Sequence, residues 1–318
     1  MTTYKEIRGT NIEAVASDPS NPVEGQVWYN TTTNVVKGLI NNPGSWATVN
    51  SMNTAKVGLA GAGTQTSTLA FGGAPEINDT EKYNGTSWTE VNNLNTGRGY
   101  LGGAGTQTAA LAFAGSAPPG LQNATETWNG TNWTEVNNLN QARHRLAGVG
   151  ATNTAALAFG GEFSGVPATA LTETWNGTNW TEVNDLNTAR EKIGGCGTNT
   201  AALGFGGNPA PSALTESWNG TNWSEVNDLN NARKYMAGAG TNTAALAFGG
   251  SPAGGVAVTE LWNGTNWTEV NDLNTARANL AGAGTQPAAL AFGGQNPPAS
   301  AATEEWNIGP ATVTFDVS

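Results

Sequence analysis

A phrase ending in Trp recurs six times along this 318-residue chain, at Trp46, Trp88, Trp133, Trp180, Trp223 and Trp267. The steps between copies are 42, 45, 47, 43 and 44 residues. Two further markers keep the same period. A LAFGG-like phrase sets Phe71, Phe113, Phe159, Phe205, Phe248 and Phe292 in register, and a TExWNG-like phrase does the same for Tyr83, Trp128, Trp175, Trp218, Trp262 and Trp306. Self-similarity at about 20–50 residues is the mark of one supersecondary unit stacked many times.

Each unit reads as four short strands, A to D in chain order. Residues 280–284 and 289–293 exemplify A and B, and residues 259–263 and 267–270 exemplify C and D. Turn residues bound each segment, and none keeps a helical period over the ~10–12 residues a helix needs. Asn-Gly joins C to D at Asn84-Gly85, Asn129-Gly130, Asn176-Gly177, Asn219-Gly220 and Asn263-Gly264. Both residues tolerate positive φ, so a tight type I′ hairpin is predicted there. These dipeptides also begin Asn-Gly-Thr sequons, for which turn chemistry is sufficient reason.

A four-stranded sheet cannot bury two apolar faces alone. Radial stacking against neighbours solves this and shortens the exposed edges. Strand A supplies paired glycines, such as Gly148 and Gly150 or Gly282 and Gly284, where backbones crowd around an axis. The Trp and Phe rows are then the expected core between sheets. The predicted fold is all-β: a six-bladed β-propeller with four-stranded blades over residues 46–310. Residues 46–49 look like the end of a unit yet precede the first strand A. They are predicted to complete the last blade, so that an N-terminal strand closes the ring. Residues 312–315, which lack the Trp and the Asn-Gly turn, then form a further strand within a C-terminal segment, 311–318, or pair with a partner. Residues 1–45 are not a copy of the unit. They hold a turn at 18–22 and a hairpin, 27–30 with 35–37, and are expected to dock on the ring or anchor it elsewhere.

Two charged residues recur with the unit. A Glu stands two residues before each C-strand aromatic, at Glu81, Glu126, Glu173, Glu216, Glu260 and Glu304. Arg98, Arg143, Arg190, Arg233 and Arg277 open the A strands, with Lys56 in the first copy. Repetition around a ring points to a structural task, such as fixing an inter-blade loop by bidentate bonds. The Arg partner is either this Glu series or the series of Glu90. Cys196 fills a slot held elsewhere by Ala or Val and reads as a small buried hydrophobe.

Composition narrows function. The net charge is -11, and no Lys/Arg run matches a phosphate backbone or an anionic bilayer. Nucleic acid and membrane insertion are not expected, since no apolar run reaches the ~18 residues of a span. The first fifteen residues lack the apolar core of a signal peptide. One Cys and one His leave no disulfide, thiolate cluster or multi-histidine metal centre. No phosphate-binding Gly loop ending in Lys-Ser/Thr and no GxSxG elbow occurs. Glu162, Glu191 and Asp79 are the carboxylates near the variable face, and nothing in the sequence brings them together for hydrolysis. The chain is expected to be non-enzymatic, with no cofactor and no metal.

Variation among the six units locates a candidate contact face. The A–B and C–D turns barely change, whereas the B–C loops differ in length and content. So do the residues just after each recurring Arg. Successive strands run in opposite directions, so both variable sets emerge on one face. Tyr100, His144, Arg145, Phe163, Lys192, Tyr235 and Asn279 are the candidate binding residues, since rigid scaffolds carry function on such loops. Their chemistry suits a glycan and a protein equally.

The unit resembles the kelch repeat. The paired glycines of Phe248-Gly249-Gly250, the Trp262-Asn263 step, the following Trp267 and the closing Arg277 carry the likeness over residues 46–310. Lys56 for Arg and the lost glycine of Phe113-Ala114-Gly115 depart from it. The resemblance implies propeller blades and a binding or scaffolding role. Galactose-oxidase-like propellers are also similar, but their two-histidine, two-tyrosine copper site cannot be assembled from one His. A second segment, residues 21–32 (NPVEGQVWYNTT), resembles leader regions of tail and fibre-like proteins of marine bacteriophages. It implies a virion protein whose residues 1–45 attach to other virion proteins, and whose variable face meets host-surface polysaccharide or protein. Homo-oligomerisation is compatible with such a protein. The alternatives are a purely architectural capsid or tail subunit, and a cellular or secreted kelch-type interaction module.

Overall fold

The computed structural model describes residues 12–23 and 25–315. Among them the chain is all-β and has no helix. Five sheets have four strands each. The first runs Ala60–Thr64, Ser67–Phe71, Thr80–Tyr83 and Trp88–Val91, and the second Gly102–Thr106, Ala109–Phe113, Thr125–Trp128 and Trp133–Val136. Three more follow the same plan as far as Val270. The sixth large sheet is ordered Glu13–Val15, Val27–Asn30, Val35–Val49, Thr303–Phe315, Ala288–Phe292 and Ala281–Thr285. A two-stranded ribbon joins Ser116–Ala117 to Gly120–Leu121. Repeated four-stranded sheets of this kind are consistent with a β-propeller.

The chain divides into two compact units, Ser45–Asn307 and Met1–Gly44 with Ile308–Ser318. In the first, the antiparallel pairing of the units is near-identical: Phe113, Phe159, Phe205 and Phe248 stand opposite the first Thr of their C strands. Strand B ends one residue earlier than expected, at Phe292 rather than Gly293, because Gly293 turns to φ 66°. The C–D connection differs from a type I′ hairpin. Tyr83 pairs with Trp88, leaving a four-residue loop. Only Gly85 has positive φ, at 88°. Asn84 acts through its side chain, accepting from the Thr86 and Ser87 amides at 2.9 Å each. Asn129, Asn176, Asn219 and Asn263 do the same.

Neighbouring sheets interlock through the aromatic rows. Each D-strand Trp is buried and donates its indole N–H to the Thr that opens strand C of the preceding sheet. The pairs Trp133–Thr80, Trp180–Thr125, Trp223–Thr172 and Trp267–Thr215 lie at 3.0–3.1 Å. Trp88 reaches Thr303 and Trp46 reaches Thr259 over the same distances, 3.1 and 3.0 Å. The Trp rings also meet the preceding sheet's Phe, with centroids 4.8–5.3 Å apart. Trp46 packs on Trp306 of the last C strand at 5.5 Å, as Trp175 and Trp180 pack on each other. Trp46 therefore fills the D position of the last sheet. Residues 312–315 are not a separate strand, because Thr303–Phe315 is continuous.

The A-strand glycines receive the tips of those Phe rings. A Cβ on Gly148 would fall 2.5 Å from Phe113 Cζ and 2.8 Å from the Gly103 amide nitrogen. Gly103 faces Phe71, Gly195 faces Phe159, Gly238 faces Phe205, Gly282 faces Phe248 and Gly61 faces Phe292 in the same way. First strands of successive sheets lie side by side, and Ala281–Thr285 lies against Ala60–Thr64. Cys196 stands in this innermost layer, and burial pushes its thiol up to about 12.

The recurring Arg pairs with the Glu two residues before the C-strand aromatic, not with the Glu90 series. Arg98–Glu126 and Arg143–Glu173 lie at 2.7 Å, Arg190–Glu216 at 2.8 Å, Arg277–Glu304 at 3.0 Å and Lys56–Glu81 at 3.0 Å, with Arg233 paired to Glu260. All are buried. The pairs are not the bidentate forks expected. One Glu oxygen takes the Arg, and the other takes the backbone amide of an Asn in the link, such as Asn95 at 2.7 Å. A second guanidinium nitrogen bonds strand B, as from Arg98 to the Ala112 carbonyl at 3.3 Å. Each D–A link is thus nailed to the sheet it enters.

In the other unit, Val27–Asn30 pairs antiparallel with residues 35–38, as the predicted hairpin requires. Glu13–Val15 adds in parallel at its edge. Asp18 ties the 18–22 turn to the hairpin by accepting from Trp28, Asn30 and Lys37 at 3.0, 2.8 and 2.7 Å. These donors hold its carboxyl at about 2. Residues 1–11, 24 and 316–318 of the predicted terminal segments lie outside the described residues.

Two measurements check this packing. Gly148→Ala should destabilise by ~1–3 kcal/mol, read from urea midpoints. Trp46→Ala and Trp133→Ala should each cost ~3–5 kcal/mol; a Trp46→Ala chain that melts like the parent would remove residue 46 from the core.

Candidate functional site

Each D–A link runs from its buried Arg or Lys into strand A, and the residue two places on adopts the left-handed conformation. Gly58, Tyr100, Arg145, Lys192, Tyr235 and Asn279 have φ between 55° and 60°. Their backbones form a circuit. Tyr100 donates to the Gly58 carbonyl at 2.6 Å, Arg145 to Tyr100 at 2.9 Å, Lys192 to Arg145 at 2.7 Å, Tyr235 to Lys192 at 2.9 Å and Asn279 to Tyr235 at 2.9 Å. Gly58 donates to the Asn279 carbonyl at 2.9 Å, and the sixth bond returns to the first. These residues surround a cavity of about 90 Å³, floored by Leu59, Leu101, Leu146, Ile193, Met236 and Leu280.

The residue before each of these six bridges to the start of the B–C loop, as in Gly99 with Ser116, His144 with Glu162 and Glu191 with Asn208. The two variable sets therefore meet, as strand direction requires. Tyr100, Arg145, Lys192, Tyr235 and Asn279 share the mouth cavity. His144 and Phe163 instead line a neighbouring cleft of about 750 Å³ with Leu121, Gln141 and Val166. The seven candidates thus occupy two adjoining depressions, not one.

Charge at the mouth is organised by two carboxylates. Glu162 binds Arg145 at 2.7 Å and also His144. Glu191 binds Lys192 at 2.6 Å, lies 3.6 Å from Arg145 and accepts from Asn208 at 2.7 Å. Burial, followed by its contact with Glu162, raises the Glu191 pKa. Arg145 lies over the Tyr100 ring at 5.2 Å and Lys192 over Tyr235 at 5.3 Å, both within cation–π reach. The Tyr100 ring lies across Gly58, where a Cβ would meet its Cδ1 at 2.6 Å. His144 Nδ1, Arg145 Nε and Asn279 Oδ1 are buried without a hydrogen-bond partner.

Gly58 is not among the candidate binding residues, and Glu162 and Glu191 stand in the variable set only as carboxylates near the face. Gly58 has a sequence signal, for it stands two places after Lys56 as Tyr100 stands two after Arg98. The task of Glu162 and Glu191 has none, because it depends on contacts between different units. Among the described residues no group of three or more His, Cys, Asp or Glu side chains is arranged to hold a metal ion. No known family model and no curated protein matches the chain.

The chain's single His reports on this site. Burial, then the positive field of Arg145, pulls the His144 pKa from 6.5 to about 4. A neutral imidazole carrying its proton on Nε2 donates to Glu162, consistent with the unpartnered Nδ1. A group depressed in the folded state contributes stability above its unfolded pKa and loses it as pH falls through the folded value. The His proton resonance should therefore titrate near pH 4. His144→Gln should flatten the stability slope between roughly pH 6.5 and 4.

Proposed function

We propose that this chain is a non-enzymatic recognition module: a six-bladed kelch-type propeller, its ring closed by residues 46–49, that contacts a ligand through the mouth and the adjoining cleft. The hydrogen-bond circuit and the repeated Trp–Thr and Phe–Gly contacts support six blades and closure. The resemblance of residues 21–32 supports a virion setting, as tail protein, fibre or surface decoration, with residues 1–45 meeting other virion proteins. In that setting the ligand is host-surface polysaccharide or protein.

The observation that carries the recognition reading is backbone strain. The left-handed conformation costs a non-glycine residue ~1–2 kcal/mol, and Gly58 completes the circuit without a side chain. Four of the six positions nevertheless carry the large side chains of Tyr100, Arg145, Lys192 and Tyr235, and the fifth carries Asn279, which tolerates the conformation. Strain retained where glycine suffices supports a functional use of those side chains.

The test uses intact host cells and purified particles. Changing Tyr100, Arg145 and Tyr235 together to Gly should abolish saturable adsorption. The melting temperature should stay within a few degrees, since relief of ~1–2 kcal/mol per position offsets the lost contacts. Unchanged adsorption would overturn recognition by the mouth. Absence of the chain from purified particles would overturn the virion setting.

A further inference from the structure

We propose that the mouth takes the carboxylate and an adjoining hydroxyl of an acidic sugar, a proposal that rests on reading this face as the recognition surface. The distribution of cations is the first argument. Lys56, Arg98, Arg143, Arg190, Arg233 and Arg277 are consumed by buried Glu partners, and Lys37 is bound to Asp18. Lys82 stands alone on a C strand. The other described cations, Arg145, Lys192 and Lys234, sit on three successive links, with only Glu162 and Glu191 among them. Arg145 and Lys192 line the mouth and Lys234 stands on the next link, so three of the described cations gather on one sector of a chain of net charge -11. An anionic group is attracted locally, while an extended polyanion is repelled by the rest of the surface.

Unsatisfied atoms decide the remaining chemistry. Asn279 Oδ1 is a buried acceptor without a hydrogen-bond donor, and Arg145 and Lys192 present cationic groups to the same cavity. A carboxylate pairs with the cations, and only a ligand O–H or N–H satisfies the Asn279 oxygen. A sugar acid offers both kinds of group a few bonds apart. An acidic side chain offers only acceptors, and a peptide must turn a backbone N–H into the cavity to supply a donor. The cavity of about 90 Å³ has room for roughly three waters' worth of atoms. That accommodates the substituents of one sugar, with Tyr100 and Tyr235 as walls.

Isothermal titration of the full chain with a short oligoglucuronate, the matching oligoglucose and a short oligoglutamate tests this. Oligoglucuronate should bind, oligoglucose should not, and added salt should weaken the binding. Arg145→Gln should lower the affinity about tenfold, in keeping with one charged hydrogen bond. Asn279→Gly removes the acceptor at a left-handed position and should lower the affinity for the uronate severalfold, in keeping with one neutral hydrogen bond. Tighter binding of oligoglutamate, or equal binding of oligoglucose, overturns the acidic-sugar assignment. So does failure of all three probes. If the parent chain still adsorbs to host cells through Tyr100, Arg145 and Tyr235 in that case, the recognition surface stands and only its ligand class falls.

Discussion

Neighbouring sheets meet where the tip of a Phe ring enters the space in which a glycine lacks a side chain. Phe113 against Gly148, and its counterparts, set how near one sheet comes to the next. Once that distance is fixed, the indole of the following D strand can lie on the same Phe and still reach a buried Thr hydroxyl. The aromatic row and the glycine row are one device. Dispersion and area burial supply its attraction, and the absent Cβ supplies its geometry. Repetition of a single contact then repeats the angle between sheets.

Buried ion pairs carry this regularity out to the loops. A guanidinium sealed from water is costly unless its remaining valences are used. Here the Glu, a strand-B carbonyl and a link amide share the task. Burial lowers the Arg pKa, and the adjacent carboxylate opposes that shift. Such a pair adds little net stability over an apolar replacement, but it leaves the link only one path. The residue two places on is held in the left-handed region by that path together with its circuit hydrogen bond. Order at the mouth thus derives from charges buried two residues before each circuit position.

Most of the scaffold was legible because it repeats. Three markers in register mark the strands and the aromatic core, and Trp46, which precedes the first strand A, packs against Phe248 and Trp306. Other features were hidden for physical reasons. Asn84 and its copies looked like positive-φ residues, yet an Asn oxygen can satisfy two amides without leaving the ordinary region. The partner of Arg98 was ambiguous because two Glu series have the same period, and only burial separates them. His144 and Phe163 were grouped with the mouth because they share its face, while the lateral separation of two depressions depends on loop shape.

The same repetition that makes the scaffold readable makes the face informative. Six backbones follow one path, so differences among Gly58, Tyr100, Arg145, Lys192, Tyr235 and Asn279 owe nothing to backbone demands. Glycine would meet those demands everywhere. Each larger side chain is an addition to a completed circuit, and its contacts explain only part of it. Arg145 and Lys192 find carboxylates and rings, but Arg145 Nε and Asn279 Oδ1 stay unsatisfied. A scaffold optimised only for stability would place glycine at Tyr100, Arg145, Lys192 and Tyr235 and relieve their left-handed backbones. Asn tolerates that conformation, so what Asn279 leaves unmet is its side-chain oxygen alone.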